Sequence, residues 1–249
     1  MEFSYTVSDR IAEVVMNQPP VNAFNSTGWN NLARTITAAG EDPSVNVVIL
    51  RAEGRGFCAG VDIKELAADG SKIVAVNKGC YDSFAAVHRC KVPVIAATHG
   101  FVLGGGIGLA GAADIIIAAD DSYFGLPEID RGAMGGASHF LRMLPLQKVR
   151  RLFYTGESIT AAEMAKWGAI ESVVPRESLV ETARALALKI AGKSGKALRL
   201  AKEALNGIEP VDIERNYRFE QGFTLELYTS PDSQEARDAF VEKREAKFG

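Results

Sequence analysis

Two glycine-rich segments are the first candidates for chemistry in this sequence, because each follows an apolar, strand-like run. They are EGRGFCAGVD at residues 53–62 and HGFVLGGGIG at residues 99–108. Glycine permits positive φ angles and a close approach of the backbone to another group. One N–H group from each segment, converging on one oxygen atom, would stabilise an enolate or a tetrahedral oxyanion, and a helix beginning at the second segment would add its positive end. The alternative interpretation is that both segments are only tight turns.

Both segments also match the dinucleotide-binding pattern G-x-G-x-x-G, or its variant ending in alanine, at residues 106–111 and 54–59. That pattern binds a dinucleotide when it opens a full helix within a βαβ unit of about 30 residues. Here the next strand-like segment begins at Asp114, only eight residues after Gly106. This distance is too short for such a helix, so NAD or FAD binding is not expected.

Alternating strand and helix patterns would position the two segments. The predicted strands are residues 11–16, 45–52, 92–97 and 115–118, and the predicted helices are residues 25–39 and 71–90. Asn25 or Ser26 is the expected N-cap of the first helix. The β-branched run at 45–52 is typical of a strand that is buried on both faces. The alternation predicts an α/β layered core with right-handed crossovers.

From about residue 142 the pattern becomes helical. Apolar residues recur at helical spacing in residues 147–155, 160–167, 179–192, 196–207, 215–228 and 231–247. We therefore predict an α/β core over residues 1–190 and a helical region over residues 191–249. A mostly helical segment with little core of its own usually packs on a neighbour, so we expect this region to mediate oligomerisation.

The composition restricts the classes of partner. The chain has 249 residues, of which 47% are hydrophobic and 24% charged, the balance of an ordinary globular protein. Its 28 lysines and arginines are outnumbered by 31 aspartates and glutamates, so no basic excess exists to bind nucleic acid. The three cysteines are too few for a disulfide framework or a zinc site, and an odd number fits a reducing compartment.

Two features bear on export and membranes. Residues 1–4, MEFS, carry an early acid and no apolar run, so they do not predict a signal peptide. Residues 100–119 have the length of a membrane span and a single charge, Asp114. Their glycine cluster, β-branched run and following acids, Asp120 and Asp121, indicate buried core instead. We therefore expect a cytoplasmic protein without a membrane partner.

Four segments resemble the crotonase, or enoyl-CoA hydratase/isomerase, superfamily. They are GFCAGVDIK at 56–64, residues 99–109, FGLPE at 124–128 and FVEKR at 240–244. The resemblance implies a spiral of ββα units with a helical C-terminal trimerisation region, assembled as a homotrimer or a dimer of trimers. It implies an acyl-CoA thioester as substrate, with no metal and no cofactor apart from the coenzyme A that the substrate carries.

The resemblance also assigns roles to residues. It gives the two oxyanion N–H groups to Val61 and Gly105. It gives the coenzyme A site to Val21, Gly60, Val61, Asp62, Ile63, Lys64 and Gly104. Val21 and Lys64 would lie near the adenine and phosphates. Phe240 and Lys243 would reach the coenzyme A of a neighbouring subunit, the alternative being a core phenylalanine and a solvated lysine.

The sequence departs from the hydratase pattern at one catalytic position. Hydratases of this family use two glutamates, and the position of the first is Gly108 here, which has no titratable side chain. The second corresponds to Glu128, our preferred general base; its alternative is a surface or helix-capping carboxylate. With only one carboxylate, addition of water across a double bond by the paired route is not expected.

Other polar residues near these segments are assigned with alternatives. Asp130 and Arg131 are interpreted as a local ion pair or as contacts to substrate, and Arg131 could bind a carboxylate or ketone oxygen. His139 is interpreted as structural. Asp62 is expected to turn its loop by accepting backbone N–H bonds. Cys58 has no histidine near it in the sequence, so nucleophilic catalysis by its thiol is not expected.

A narrower resemblance concerns the ring-opening CoA-thioester hydrolases of bacterial steroid degradation. The matching segments are residues 20–23, 51–57, 104–109, 124–128, 131–133 and 217–223. This resemblance implies hydrolytic C–C ring opening of a cyclic CoA thioester, in which water attacks a ring ketone and a thioester enolate leaves. One base suffices for that chemistry. The alternatives are an enoyl-CoA hydratase or isomerase of fatty-acid metabolism using a single glutamate, and a non-catalytic subunit that binds CoA esters.

Overall fold

The computed structural model describes residues 3–248 of the chain, which form strands and helices in alternation. The strands are β1 (Tyr5–Ser8), β2 (Ile11–Met16), β3 (Ala23–Phe24), β4 (Val47–Ala52), β5 (Gly60–Val61), β6 (Val94–Thr98), β7 (Phe101–Leu103), β8 (Ile115–Ala119), β9 (Tyr123–Gly125), β10 (Ser158–Thr160) and β11 (Ser172–Val174). The α-helices are α1 (Ser26–Glu41), α2 (Ile63–Ala68), α3 (Ile73–His88), α4 (Gly105–Ala112), α5 (Ala137–Met143), α6 (Leu146–Thr155), α7 (Ala161–Ala165), α8 (Leu179–Ala191), α9 (Gly195–Ile208), α10 (Ile213–Tyr228) and α11 (Pro231–Glu242). Short 3-10 turns cover Gly70–Lys72, Pro127–Arg131 and Arg176–Ser178.

The strands form a spiral of repeated turns. The main sheet has the order β1-β2-β4-β6-β8-β11, in which only β1 is antiparallel to its neighbour. A second layer pairs β3 with β5 and β7 with β9 in parallel, and β10 with β9 in the antiparallel sense. A bridge between Cys58 and Val102 joins the two halves of that layer. Each turn contributes one strand to each layer and then a helix, so the predicted spiral of ββα units is confirmed.

The central strands of the main sheet, β2, β4, β6 and β8, are buried on both faces because they are almost wholly apolar. Alternate residues of β2, β4 and β6 pack on one side against α1 and α3, within a cluster that includes Leu50 and Trp29. The other side, including Ile49 and Ile95, packs against Ala183 and Ala187 of α8. Parallel sheets require this cover on both faces. The sheet therefore gives a rigid base from which the glycine-rich loops project.

Most of the predicted elements are present. Helix α1 begins at Ser26, with Asn25 as the N-cap that accepts the Gly28 N–H at 2.8 Å. The segment 100–119 is core, as expected, and forms β7, α4 and β8. Within residues 3–248, no helix is long and apolar enough to cross a membrane.

The wholly helical pattern expected after residue 142 was wrong in part, because this region also contains β10 and β11, three-residue strands at sheet edges that are too short to show alternation. The helix after the glycine triplet, α4, has only eight residues, too few for the full helix of a dinucleotide-binding unit, as expected. The charged segment after Asp62 forms the short helix α2.

The C-terminal helices α10 and α11 pack on the body of the same chain. Ile213, Tyr217 and Tyr228 belong to the same apolar cluster as the central sheet. The predicted division after residue 190 falls at the end of α8. Beyond that point, α10 contributes side chains to the core, and α10 and α11 both contribute side chains to a pocket wall.

Candidate active site

The two glycine-rich loops meet at the start of α4. Gly60 has a φ of +89°, and a Cβ atom at this position would lie 3.0 Å from the Gly105 nitrogen. Gly104 has a φ of +55° and is the N-cap of α4. The N–H of Gly105 is therefore in the first helical turn, where N–H groups lack a carbonyl acceptor within the helix. Glycine at these two positions allows two backbone segments to touch beside an unfilled donor.

Asn22 holds the first loop in place. Its Nδ2 donates to the carbonyl oxygens of Glu53 and Gly56, each at 2.9 Å, and its Oδ1 accepts the Gln18 N–H at 2.7 Å. The residue is buried and has a φ of +50°, a conformation that asparagine tolerates better than most residues. The sequence motifs did not predict that Asn22 anchors this loop. The one signal for it was an asparagine close after the Pro19-Pro20 pair.

Asp62 and Glu65 anchor the helix that follows the first loop. Asp62 caps α2 by accepting the Lys64 N–H at 3.0 Å, which confirms the loop-turning role predicted for it. The Glu65 carboxylate accepts both the N–H and the hydroxyl of Ser26 at 2.8 Å. Lys64 itself is exposed. The carboxylates thus fix α2, and with it the wall beside Val61, against the start of α1.

Glu128 lies at the junction of the two loops. A Cβ atom on Gly104 would overlap Oε1 of Glu128, so this carboxyl group lies directly against the loop backbone. Its Oε2 atom is buried and has no hydrogen-bond partner within residues 3–248. Burial raises the pKa of Glu128 to about 7, and the backbone and the charge of Arg131 oppose the rise. A surface or capping carboxylate would have neither property, and a carboxyl group with such a pKa can take up or release a proton near neutral pH.

The ring of Phe84 fills the space beside Gly108. A Cβ atom on Gly108 would overlap the ring, so no side chain fits there without a rearrangement. Phe84 packs against His139 with ring centroids 5.0 Å apart and against Tyr217 at 5.2 Å. Burial lowers the pKa of His139 to about 3, which keeps it neutral, as its structural interpretation requires. Gly108 and Phe84 therefore supply no titratable group on this side.

A pocket of about 800 Å³, including its open mouth, is bordered by Val61, Phe84, Gly104, Gly105 and Glu128. The wall is mostly apolar, with a few polar groups at defined points. Three of its buried polar atoms, Asn77 Nδ2, Glu128 Oε2 and the Tyr228 hydroxyl, have no partner within the described residues. The pocket is lined by Ala59, Val61, Ile63, Leu66, Ile73, Val76, Asn77, Cys80, Phe84, Gly104, Gly105, Glu128, Arg131, Ala133, Met134, Gly135, Gly136, Tyr217, Thr224, Tyr228 and Arg237.

Of the candidate residues Asp130, Arg131 and Phe240, only Arg131 lines this pocket within the described part of the chain. The predicted ion pair between Asp130 and Arg131 is wrong: Asp130 is exposed, with its carboxylate against Gly156 across the turn, whereas Arg131 faces the pocket. The Arg131 guanidinium carbon lies 4.6 Å from the ring centroid of Phe240. Phe240 is half-exposed on α11, so it is not a core phenylalanine.

Three further candidates have defined positions. Lys243 ends α11 in the left-handed conformation, and the Val21 carbonyl accepts the Ala59 N–H at 3.1 Å beside the first loop. Burial raises the pKa of the Cys58 thiol to about 12. The thiol is therefore not a nucleophile near neutral pH, as expected.

Together, the spiral fold and the buried carboxyl group beside two glycine-lined loops define an enzyme of the crotonase type. Residues 6–249 match the profile of the Enoyl-CoA hydratase/isomerase family, and the chain belongs to that family. It is 53% identical over 241 residues to the (7aS)-7a-methyl-1,5-dioxo-2,3,5,6,7,7a-hexahydro-1H-indene-carboxyl-CoA hydrolase of Rhodococcus jostii, covering 96% of this chain and 93% of the relative. The hydrolase of the same name from Mycobacterium tuberculosis is 48% identical, with 96% and 98% covered.

Solved structures agree with this assignment. An enoyl-CoA hydratase/isomerase from Xanthobacter autotrophicus superposes with a TM-score of 0.89 over 100% of this chain and 99% of its own; at 24% identity it supports the fold alone. Carnitinyl-CoA hydratase from Mycobacterium avium superposes with a TM-score of 0.86 at 30% identity, with 99% and 97% covered. The predicted family and fold class are confirmed.

Proposed function

We propose that this enzyme is a CoA-thioester hydrolase that opens a carbon ring of a cyclic keto-acyl-CoA formed in steroid breakdown. The observation that carries the proposal is that, within residues 3–248, Glu128 supplies the single carboxyl group of the pocket wall. Glu128 is present with a pKa near 7, whereas the position of a second glutamate is Gly108, filled by Phe84. The names of the two hydrolases at 53% and 48% identity support the same reaction.

The N–H groups of Val61 and Gly105 bind the thioester oxygen in this proposal. Support comes from the contact between their loops and from the position of Gly105 in the first turn of α4. The positive end of the helix dipole favours negative charge on that oxygen. As the enolate forms, the two donors gain strength, and losing one typically costs about 3 kcal/mol of transition-state stabilisation.

Glu128 acts as the base that activates water. The carboxylate takes a proton from water, and the hydroxide adds to the carbon of a ring ketone. The C–C bond next to that carbon then breaks, its electron pair passing to the enolate of the thioester. The carbonyl carbon becomes a carboxylic acid, and Glu128 returns the proton to the enolate carbon. One water is consumed, and one base serves both proton transfers.

Coenzyme A would bind along the first loop and the start of α2, on Val21, Gly60, Asp62, Ile63 and Lys64. Lys64 is exposed and adjacent to Ile63, which lines the pocket, so its side chain is free to approach phosphate groups of a bound coenzyme A. Phe240 and Lys243 would contact the coenzyme A of a neighbouring subunit. No separate cofactor is required, because coenzyme A belongs to the substrate.

The proposed assembly is a homotrimer or a dimer of trimers. It is supported by large apolar side chains that α9 and α10 expose, namely Leu200, Leu205, Ile208, Phe219 and Phe223. Light scattering coupled to gel filtration measures the number of subunits. A cytoplasmic location is in accord with the three cysteines, which are free and buried.

The test is incubation with linear enoyl-CoAs and with cyclic β-dicarbonyl CoA esters, followed by mass spectrometry. Ring opening gives a product heavier than the cyclic ester by one water and containing a new carboxylate. A fall in the absorbance of crotonyl-CoA would instead indicate the alternative, a hydratase that uses one glutamate. Binding of all esters without turnover of any would indicate the non-catalytic subunit.

A further inference from the structure

Two arginines enter the pocket from different elements. Arg131 comes from the 3-10 turn that carries Glu128, and Arg237 comes from α11. The Arg237 guanidinium carbon lies 3.9 Å from the ring centroid of Tyr228, as Arg131 lies over Phe240. These aromatic faces hold each guanidinium by cation–π attraction. Both cations are thus fixed by rings, which leaves N–H donors available.

Neither of these arginines forms an ion pair with a carboxylate of the described residues. Within residues 3–248, neither has an acidic oxygen within 4.0 Å. Arg237 donates to Ser233 Oγ and Gln234 Oε1, and Arg131 makes no hydrogen bond in the described part of the chain. The nearby carboxylate of Glu235 forms an ion pair with Arg244 instead. The pocket wall therefore holds two cations that no ion pair within the described residues neutralises.

Tyr228 supplies a third, independent sign of a ligand. Its side chain lines the pocket and the residue is only 8% exposed, yet its hydroxyl is buried without a partner in residues 3–248. A buried hydroxyl without a hydrogen bond costs about 1–3 kcal/mol, so such groups usually have a ligand or water. The Arg237 guanidinium lies over the Tyr228 ring and Arg131 lines the same pocket, so this hydroxyl fits an oxygen atom of an anion bound there.

We propose that Arg131, Arg237 and Tyr228 form a subsite for a carboxylate on the acyl part of the substrate. This inference rests on the proposed function, in which attack of water turns a neutral ring ketone into a carboxylic acid that ionises. The planar guanidinium groups match a carboxylate with parallel hydrogen bonds. The subsite binds the new carboxylate as the ring opens, and so stabilises product over the closed ring.

Adipyl-CoA and hexanoyl-CoA test this subsite, because they have the same chain length and differ in the terminal carboxylate. Calorimetric titration should show that the protein binds adipyl-CoA more tightly, by on the order of 10- to 100-fold, the range of hydrogen bonds to charged groups. Arg237→Met and Arg131→Met should each lose most of that preference while leaving hexanoyl-CoA affinity within about twofold. The matched control is Arg218→Met, since Arg218 also lies 4.5 Å from a ring centroid, that of Tyr81, but outside the pocket.

Two outcomes would overturn the subsite. Equal affinity of the unchanged protein for the two esters would show that no carboxylate is bound. An equal loss for both esters in the arginine variants would show that these residues hold the phosphates of coenzyme A instead. If an arginine variant fails to fold, Tyr228→Phe replaces it, with an expected severalfold loss of the preference. Neither probe needs turnover, so lost ring opening with a retained preference would count against the proposed function only.

Discussion

Replacing Glu128 by glutamine should abolish ring opening and, above neutral pH, make the protein more stable. Glutamine keeps the shape of the side chain against Gly104, but its amide cannot take a proton from water. Loss of a general base lowers turnover by about 10²- to 10⁴-fold. Because the base must be ionised, the activity of the unchanged enzyme should rise with pH around a midpoint near 7, the pKa of Glu128.

The stability effect follows from the same burial. The pKa of Glu128 rises from 4.5 to about 7 on folding. At about 1.4 kcal/mol for each pH unit, this rise corresponds to roughly 3 kcal/mol. The folded state holds the proton of Glu128 more tightly than the unfolded state does. The stabilisation that this proton gives to the fold is therefore fully present below pH 4.5 and is lost as pH rises through 7. Glutamine is uncharged throughout, so Glu128→Gln should gain up to about 3 kcal/mol over the natural chain at pH 8 and nothing at pH 4.

Urea unfolding at several pH values measures this difference directly. Glu235→Gln is a control of opposite sign, because its ion pair and hydrogen bonds with Arg244 lower the pKa of Glu235 to about 2. That control should gain no stability at pH 8. A Glu128→Gln protein whose advantage did not grow between pH 5 and pH 8 would refute the burial argument. Unchanged turnover, with coenzyme A ester binding intact, would refute the catalytic role.

Further predictions concern the packing of the site. Gly104→Ala should lower turnover by about 100-fold, because its Cβ would displace the Glu128 carboxyl group and a 1 Å misplacement can have that effect; normal turnover in a folded variant would contradict the geometry. Gly108→Ala should destabilise the fold by about 1–3 kcal/mol through overlap with Phe84, as measured by urea unfolding. Combining it with Phe84→Leu should restore part of the loss, whereas additive losses would argue against the overlap. Cys58 should resist iodoacetamide in the native protein at pH 8, since burial raises its pKa to about 12; peptide mass spectrometry would reveal any modification.

The sequence predicted the parts of this fold that depend on local patterns. The strand β2 and the helix α1 follow from apolar spacing and from the side chain of Asn25, all within a few residues of one another. The short strands β10 and β11 were missed because pairing with β9 and β8, not their own composition, makes them strands. Long-range pairing of this kind leaves no local period to detect.

The candidate site shows the same limit. Glu128, Gly104 and Gly105 could be proposed from motifs, because a glycine triplet and a Leu-Pro-Glu run stand out in the sequence. The ring of Phe84 beside Gly108 could not, since it comes from a separate helix, 24 positions earlier in the chain. Tyr228 and Arg237 lie further still from the loops they face. Their sequence positions predicted only a helical arm, whereas packing makes them pocket wall.

The distance along the chain between the walls of the pocket has a consequence for synthesis. The first lining residue is Ala59 and the last is Arg237, which are 178 positions apart. A ribosome that adds 5–20 residues each second needs roughly 10 to 35 s to make the second wall after the first. During that interval Phe84 lacks the cover that Tyr217 of α10 gives it, and the nascent chain exposes apolar surface. The pocket is complete only when the last helix has left the ribosome.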